Sequence, residues 1–518
     1  MKLLVHTAGG ISSCEAKESR PLSETLREAG IGLDLRCGGN GRCGRCRIEL
    51  VRGDFVAAGR AVSLRGKETA AVNACTCFPA GAEGEIRIPA ASLHRSDGAV
   101  EVNFSPVPDL SGGPGGLSVA VDIGTTTVAA LLVEDGRIVA SAGMPNRQFR
   151  FGDNVIDRIA ACQSSPGAQR ELHRAVVDET INPLLAQLAA DPRRISRMAV
   201  AANTVMTHLF YNESPVSIGT APFTPKFRRF PEVAAASLGV AIRPEGRIIA
   251  APAISGNVGG DITAGLVATG FGASGGTELL LDLGTNCEMV LTHRGKVWAS
   301  SAAAGPAFEG ANLSFGCRAA PGAVEHLTLS AAGKLELQVS GGGAPIGLCG
   351  SGAVDFLAEA RRAGALDEYG RLEPGVLRRW GRLVTRNGGN GFRIASGIVV
   401  TEADIERLLK AKAAVGAGIA SLLRHAGVEP EEIRIFHLCG GFARCLDLDA
   451  AQAIGMLPRL ERPVFRIGGN TSLAGAVLLA ARPDRMAEFE KWADLPCDLP
   501  LNSLKGFEES YIDGLLLG

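Results

Sequence analysis

The chain has 518 residues, of which 46% are hydrophobic and 5% aromatic, and its formal net charge is -1. At about 150 residues per domain, that length reads as roughly three domains with sizeable cores. The near-neutral charge and few aromatics exclude the basic footprint and the stacking platform of a nucleic-acid binder, and the longest apolar runs, such as Leu473–Ala481, fall short of the ~20 residues a membrane helix needs. Met1-Lys2-Leu3-Leu4-Val5 turns polar at His6 and Thr7, too early for a signal peptide, so the expected location is the cytoplasm. The 13 cysteines are odd in number, which argues against a disulfide framework. Cys14, Cys162, Cys287, Cys317, Cys349, Cys439, Cys445 and Cys497 read as small buried apolar residues.

The first elements in chain order make a small α+β domain, placed at 1–93. Lys2–Thr7 reads as a strand. Leu22–Ala29 reads as a short helix, with Leu22, Leu26 and Ala29 on one face and Gly30 to stop it. Arg47–Val51 and Glu85–Ile88 read as further strands. Between them lies Cys37-Gly-Gly-Asn-Gly-Arg-Cys43-Gly-Arg-Cys46, and beyond it Cys75 and Cys77. Three cysteines separated by glycines suit a loop that wraps thiolates around a 2Fe–2S cluster, since glycine lets the backbone and its N–H groups approach the sulfurs. Zinc favours paired C-x2-C hairpins, and only one C-x2-C stands in this loop. The spacing C-x5-C-x2-C resembles the adrenodoxin-like variant of the plant-type ferredoxins. That resemblance makes Cys37, Cys43 and Cys46 ligands. It favours Cys75 over Cys77 as the fourth, because Ala74-Cys75 follows the apolar Ala70-Ala71-Val72 approach, as in the family. Gly39-Asn-Gly41-Arg-Cys-Gly44 also matches G-x-G-x-x-G, but no strand leads into it and no helix follows.

Residues 94–116 are rich in Ser, Pro and Gly and end in Ser111-Gly-Gly-Pro-Gly-Gly116, the composition of a flexible linker. Two similar hairpins come next. Leu117 to Val133 is an apolar strand ending in Asp122, a turn through Gly124, Thr125, Thr126 and Thr127, and a second apolar strand. Leu279 to Leu291 repeats the plan with Asp282, Gly284, Thr285 and Asn286. Turn N–H groups and hydroxyls can hold phosphate oxygens, and aspartates can hold Mg²⁺ through its retained water. One such hairpin is weak evidence, but two of them are an internal repeat. They set lobes at 117–275 and 276–500, with a tail at 501–518. Arg434 to Cys439 reads as a strand entering Gly440-Gly441, where backbone can pass close to a nucleoside. Gly256–Gly270 and Asn470–Ala481 read as small-faced helices able to pack tightly and shear.

The hairpins, the glycine pair and the two helices together resemble the acetate and sugar kinase, Hsp70 and actin superfamily. No P-loop is present. The resemblance implies a two-lobed α/β ATPase of duplicated ribonuclease H-like lobes behind a β-grasp, ferredoxin-like front. It implies phosphate cradles at Gly124 to Thr127 and Gly284 to Asn286, a nucleoside edge at Gly440 and Gly441, and Mg²⁺ or attacking water at Asp122 and Asp282. Asp261 and Glu288 are further carboxylates for that role. With the cysteine loop in front, the whole chain resembles the reductive activators of corrinoid proteins, whose signatures look like Ala303 to Asn312, Gly347 to Asp355 and Gly256 to Asp261. Longer members carry an extra domain where this chain has only the linker, which leaves a homodimer an open matter.

What this family implies is ATP-driven one-electron reduction of a corrinoid protein from Co(II) to Co(I), in service of a methyltransferase or O-demethylase, with electrons from an upstream donor. A plant-type cluster near about −400 mV is generally too weak a donor unaided, so ATP must supply a differential affinity between two states. Rival readings are a small-molecule kinase with a redox sensor, an activator of a radical dehydratase, and a redox-gated chaperone-like module. The dehydratase activators bridge a 4Fe–4S cluster between subunits and lack a ferredoxin-like front. The chaperones append a long substrate domain that is missing here.

Overall fold

Burial alternates residue by residue along the strand Arg47–Ala57, so Ile48, Leu50, Phe55 and Ala57 point into one core while the intervening side chains stay at least partly exposed. This period places the strand in the sheet of a small N-terminal body. The computed structural model describes residues 1–7, 10–33, 41, 46–89, 92, 102–152, 154–165, 167–310, 313–386 and 389–518. The chain divides into two units, Met1–Asp97 with Arg147–Arg158, and Gly98–Asn146 with Ile159–Gly518.

In the first unit the strands run in the order Gly10–Glu15, Lys2–Thr7, Cys77–Arg87, Arg47–Ala57, Arg60–Asn73. Lys2–Thr7 and Cys77–Arg87 pair in parallel and every other pair is antiparallel. The helix Leu22–Glu28 buries Leu22 and Leu26 in the same core as Leu3, Val5, Ile48 and Ile86. This mixed sheet with one helix is the expected β-grasp. Two strands escaped sequence reading. Gly10–Glu15 is a polar, largely exposed edge strand with no hydrophobic alternation, and Arg60–Asn73 is broken up by charge and glycine.

The second unit carries two sheets of the same plan. In the first lobe Leu117–Ile123, Thr127–Glu134 and Arg137–Pro145 form an antiparallel meander, and Arg197–Ala202 and Arg247–Ala250 add in parallel beyond Leu117–Ile123. In the second lobe Thr277–Leu283, Cys287–His293 and Lys296–Ala302 form the meander, with Ile433–Cys439 and Phe465–Gly469 added in parallel. The duplication read from the two hairpins is therefore a duplication of whole sheets.

The lobes are tied by an exchange of helices. Thr471–Ala481 follows the last strand of the second lobe, yet Leu473, Val477 and Leu479 share a core with Ala120, Leu131 and Ala199 of the first lobe's sheet. Gly260–Thr269 belongs by sequence to the first lobe, yet Ile262 and Leu266 share a core with Leu280, Val290 and Ala299 of the second. Both helices are apolar nearly all round, as a helix buried on every side must be. They cross backbone to backbone: a β-carbon at Gly475 would lie 2.3 Å from the carbonyl oxygen of Ala264. By chain order 471–481 follows the second lobe's last strand, but it packs on the first lobe's sheet.

One expectation is corrected, the flexibility of the linker. The described part of the linker, 102–116, is docked on the second unit. Asn470 N donates to Asn103 O at 3.0 Å, Ser105 N donates to Gly468 O at 2.9 Å, and Arg482 Nη1 donates to Ser111 O at 2.6 Å. Its polar composition reflects an extended strap, whose backbone is satisfied by a neighbouring strand end and whose Leu110 is buried. The 501–518 tail packs on the second lobe. Leu517 is buried, and Lys412, itself buried in the 25-residue helix Glu402–Ala426, donates to Ile454 O at 2.6 Å and to Leu516 O. Among the cysteines expected inside, Cys287, Cys349 and Cys439 are buried, Cys14, Cys162, Cys317 and Cys445 are half-buried, and Cys497 is exposed on a two-residue edge strand.

Gly475→Ala tests the helix crossing. The added methyl meets backbone that cannot move aside, so the variant should lose about 1–3 kcal/mol of stability, read as a lower Tm by calorimetry; an unchanged Tm would refute the close approach.

Candidate nucleotide cleft and cluster site

Asp122 stands at the end of the strand Leu117–Ile123, and the turn Gly124, Thr125, Thr126 leads into the strand that opens with Thr127. Asp282 holds the matching place in Thr277–Leu283, followed by Gly284, Thr285 and Asn286. The turns are braced from below. Asn146 Nδ2 donates to Gly124 O at 2.9 Å, Asn203 Nδ2 donates to Thr125 Oγ1 at 3.2 Å, and Gly284 N donates to Asn286 O at 3.1 Å.

The two exchanged helices deliver carboxylates and their partners to the same place. Asn470, the N-cap of Thr471–Ala481, donates from Nδ2 to Asp122 Oδ2, and Ser472 Oγ donates to Asp122 Oδ1, both at 2.9 Å. Asp261 lies in the first turn of Gly260–Thr269. Glu288 pairs directly with Asp282 across the antiparallel ladder and is buried. Burial, then the charge of Asp122, pushes Asp282 up to about 7. Burial, then Asp282 and Asp122, raises Asp261; burial, then Asp261 and Asp282, raises Glu288. Asp122 is raised by burial alone, against the two hydrogen bonds that favour its anion. Like charges gathered out of water call for a cation. The donor set is all oxygen, and among the described residues no three acidic, His or Cys side chains converge on a bare ion, so the site fits Mg²⁺ that keeps its water.

Gly440 closes one side. Its φ is +91°, and a β-carbon there would lie 2.5 Å from Leu283 O and 3.0 Å from Asp282 Oδ1, so only glycine lets the chain pass against the Asp282 strand end. Gly441 starts the turn Gly441–Cys445, and the next residue, Phe442, stacks on Phe308 with ring centroids 5.4 Å apart. Glu309 lies within the Ala303 to Asn312 stretch, to which the sequence alone assigned no role. In the structure Thr126 Oγ1 donates to Glu309 Oε2 at 3.1 Å and Thr285 Oγ1 donates to Glu309 Oε1 at 2.7 Å, so this carboxylate joins the two hairpins. Asn470 was also missed as a site residue, although an asparagine before an apolar run is an N-cap signal that was there to be read.

In the first unit, Cys46 and Cys75 bring their sulfurs to 3.3 Å. Ala74 N donates to Cys46 O at 2.9 Å, and Asn73 Nδ2 donates to Gly41 O at 3.1 Å, tying the cysteine loop to the turn that carries Cys75. Cys77 is fully buried in the same core as Cys46 and Cys75, and burial pushes its thiol up to about 12. Cys37 and Cys43 lie outside the described residues, as does Asn312 of the Ala303 to Asn312 signature. The pair Cys46 and Cys75 fits a cluster edge.

A β-grasp domain with a cysteine loop, joined in one chain to two ribonuclease H-like lobes around a carboxylate-lined cleft, defines a ferredoxin-like 2Fe–2S protein fused to an ATPase of the actin, Hsp70 and sugar-kinase kind. The family models agree along the chain: "2Fe-2S iron-sulfur cluster binding domain" matches residues 6–80, "RACo middle region" 117–274, and "C-terminal domain of RACo the ASKHA domain" 276–518. The chain thus carries the RACo family's middle and C-terminal domains behind a 2Fe–2S domain. It is similar to a solved structure described as "Reductive activator for corrinoid,iron-sulfur protein", with a TM-score of 0.72, 29% identity, and coverage of 99% of this chain and 98% of that one. The corrinoid activation enzyme RamQ of Eubacterium limosum is 29% identical over 420 residues, 77% of this chain and 70% of its own. The Co(II) methylated amine-specific corrinoid protein reductase of Methanosarcina barkeri is 27% identical over 413 residues, 72% of each chain.

The carboxylate cluster sets a pH dependence. An acid whose folded pKa is raised holds its proton in the native state after the unfolded chain has released it. Stability therefore falls as pH rises from the ordinary carboxylate range near 4 toward the raised value, about 7 for Asp282. Thermal unfolding without nucleotide should show Tm dropping by a few degrees between pH 5 and pH 7.5, and Asp282→Asn should flatten that slope. A slope identical in the variant would contradict the assignment.

Proposed function

We propose that this protein uses ATP to drive one-electron reduction of a corrinoid protein's cobalt from Co(II) to Co(I). The observation that carries this reading is the likeness to the reductive activator over 99% of the chain, which takes in the 2Fe–2S domain and both lobes together. The curated relatives are named for the same chemistry.

Cys37, Cys43, Cys46 and Cys75 hold the cluster; the 3.3 Å approach of Cys46 to Cys75 supports that choice. When bound, the cluster supplies electrons one at a time, received from an upstream donor. Gly124, Thr125, Thr126 and Thr127 face Gly284, Thr285 and Asn286 to cradle the phosphates, and Gly440 and Gly441 border the nucleoside. Asp122 and Asp282 orient hydrated Mg²⁺ or the attacking water. That water's oxygen bonds to the terminal phosphorus as the bond to the bridging oxygen breaks. Asp122 reports on the second lobe through Asn470, so occupancy of the cleft acts on the helix that both lobes share. Closure around ATP favours the complex with the Co(II) partner, and hydrolysis reopens it; the shift is bounded by the difference in affinity between the two states. No helix among the described residues is long and apolar enough to cross a membrane, which supports a cytoplasmic setting, and the balanced charge gives nucleic acid no footprint.

Mixing the reduced protein with Mg–ATP and a Co(II) corrinoid protein should produce the Co(I) absorption band, and omitting ATP should remove it. A band of equal size without ATP would end the coupling reading. Cys75→Ala should lose the 2Fe–2S absorption and most of the two irons expected per chain for one such cluster, whereas Cys77→Ala should keep both. The opposite pattern would make Cys77 the ligand.

A further inference from the structure

Glu309 lies in the short turn Pro306–Glu309, outside the two hairpins, yet its carboxylate takes up the hydroxyls of both. One oxygen accepts from Thr126 in the first lobe and the other from Thr285 in the second, at 3.1 and 2.7 Å. We propose that Glu309 is a placeholder for the nucleotide's phosphates, bridging the two lobes and displaced when ATP binds. The inference rests on the reading that these hairpins cradle phosphate.

The argument is one of donor supply. A threonine hydroxyl has a single proton to give, and both of these are given to Glu309. A phosphate held by the same hydroxyls must take those protons over, because a carboxylate and a phosphate are both anionic acceptors and compete for the same donors. The two anions also repel at close range, so the carboxylate must leave as the phosphate arrives. Its departure is not silent. The neighbouring Phe308 ring stacks on Phe442, which follows Gly440-Gly441, so the turn that yields to the phosphates also touches the nucleoside edge. On product release the carboxylate returns and rejoins the hairpins, which favours the empty state over a cleft that keeps spent nucleotide.

The test is calorimetric titration of the full-length holoprotein, wild type, Glu309→Gln and Glu309→Ala, with Mg²⁺ and a non-hydrolysable ATP analogue, and separately with adenosine. Both variants should bind the analogue about fivefold to tenfold more tightly, the gap between hydrogen bonds to charged and to neutral acceptors. Adenosine should bind all three alike, which also certifies an intact cleft. An analogue affinity that is unchanged or weaker in the variants, or an equal shift for adenosine, overturns the placeholder. A wild type that binds the analogue no better than adenosine overturns the phosphate reading itself, and the inference falls with it.

Discussion

The crossing of two small-faced helices between the lobes is the constraint from which the rest follows. Gly475 lies against the backbone of Ala264 with no room for a methyl group, and that approach lets each helix lie on the other lobe's sheet. The same crossing sets the chemistry, because both helices begin at the cleft. One starts with Asn470 and Ser472 on Asp122, and the other carries Asp261 in its first turn. A shift of either helix would move a hydrogen-bond partner or a carboxylate at the floor.

Gathering four acids there has an electrostatic consequence. Each carboxylate is raised by burial, and all but Asp122 are raised further by their neighbours, so the cluster disfavours its own ionisation. Hydrated Mg²⁺ brought in with a nucleotide reverses that preference, since a cation stabilises the ionised form. Glu309 accepts from the hydroxyls of both hairpins, Thr126 and Thr285.

The N-terminal unit solves a different problem. The mixed sheet and one helix hold the Ala74–Thr76 turn beside Cys46, while the alternation of the strand that begins at Cys77 turns that thiol into the core. Cys75 and Cys77 are both buried in that core, and what sets Cys75 apart is its sulfur, 3.3 Å from that of Cys46. Sequence spacing left both as fourth ligands on their residues alone, and the family resemblance favoured Cys75.

Much was legible in the sequence because it is local. The cysteine spacing, the two Asp-x-Gly hairpins, the glycine pair after an apolar strand and the small-residue helices each depend on near neighbours in the chain. Composition also marked 94–116 as a boundary, but the docking of 102–116 depends on partners at 468–482, far away in sequence, so its expected flexibility was misjudged. What the chain alone determined was therefore the class of each part: an iron–sulfur loop, a duplicated phosphate-binding plan and an oxygen-rich site. Only the tertiary structure decided that the helices trade lobes, that Asp122 answers to Asn470, and that Glu309 spans Thr126 and Thr285. These are contacts between segments up to about 350 residues apart, and local residue pattern carries no term for the distance between them.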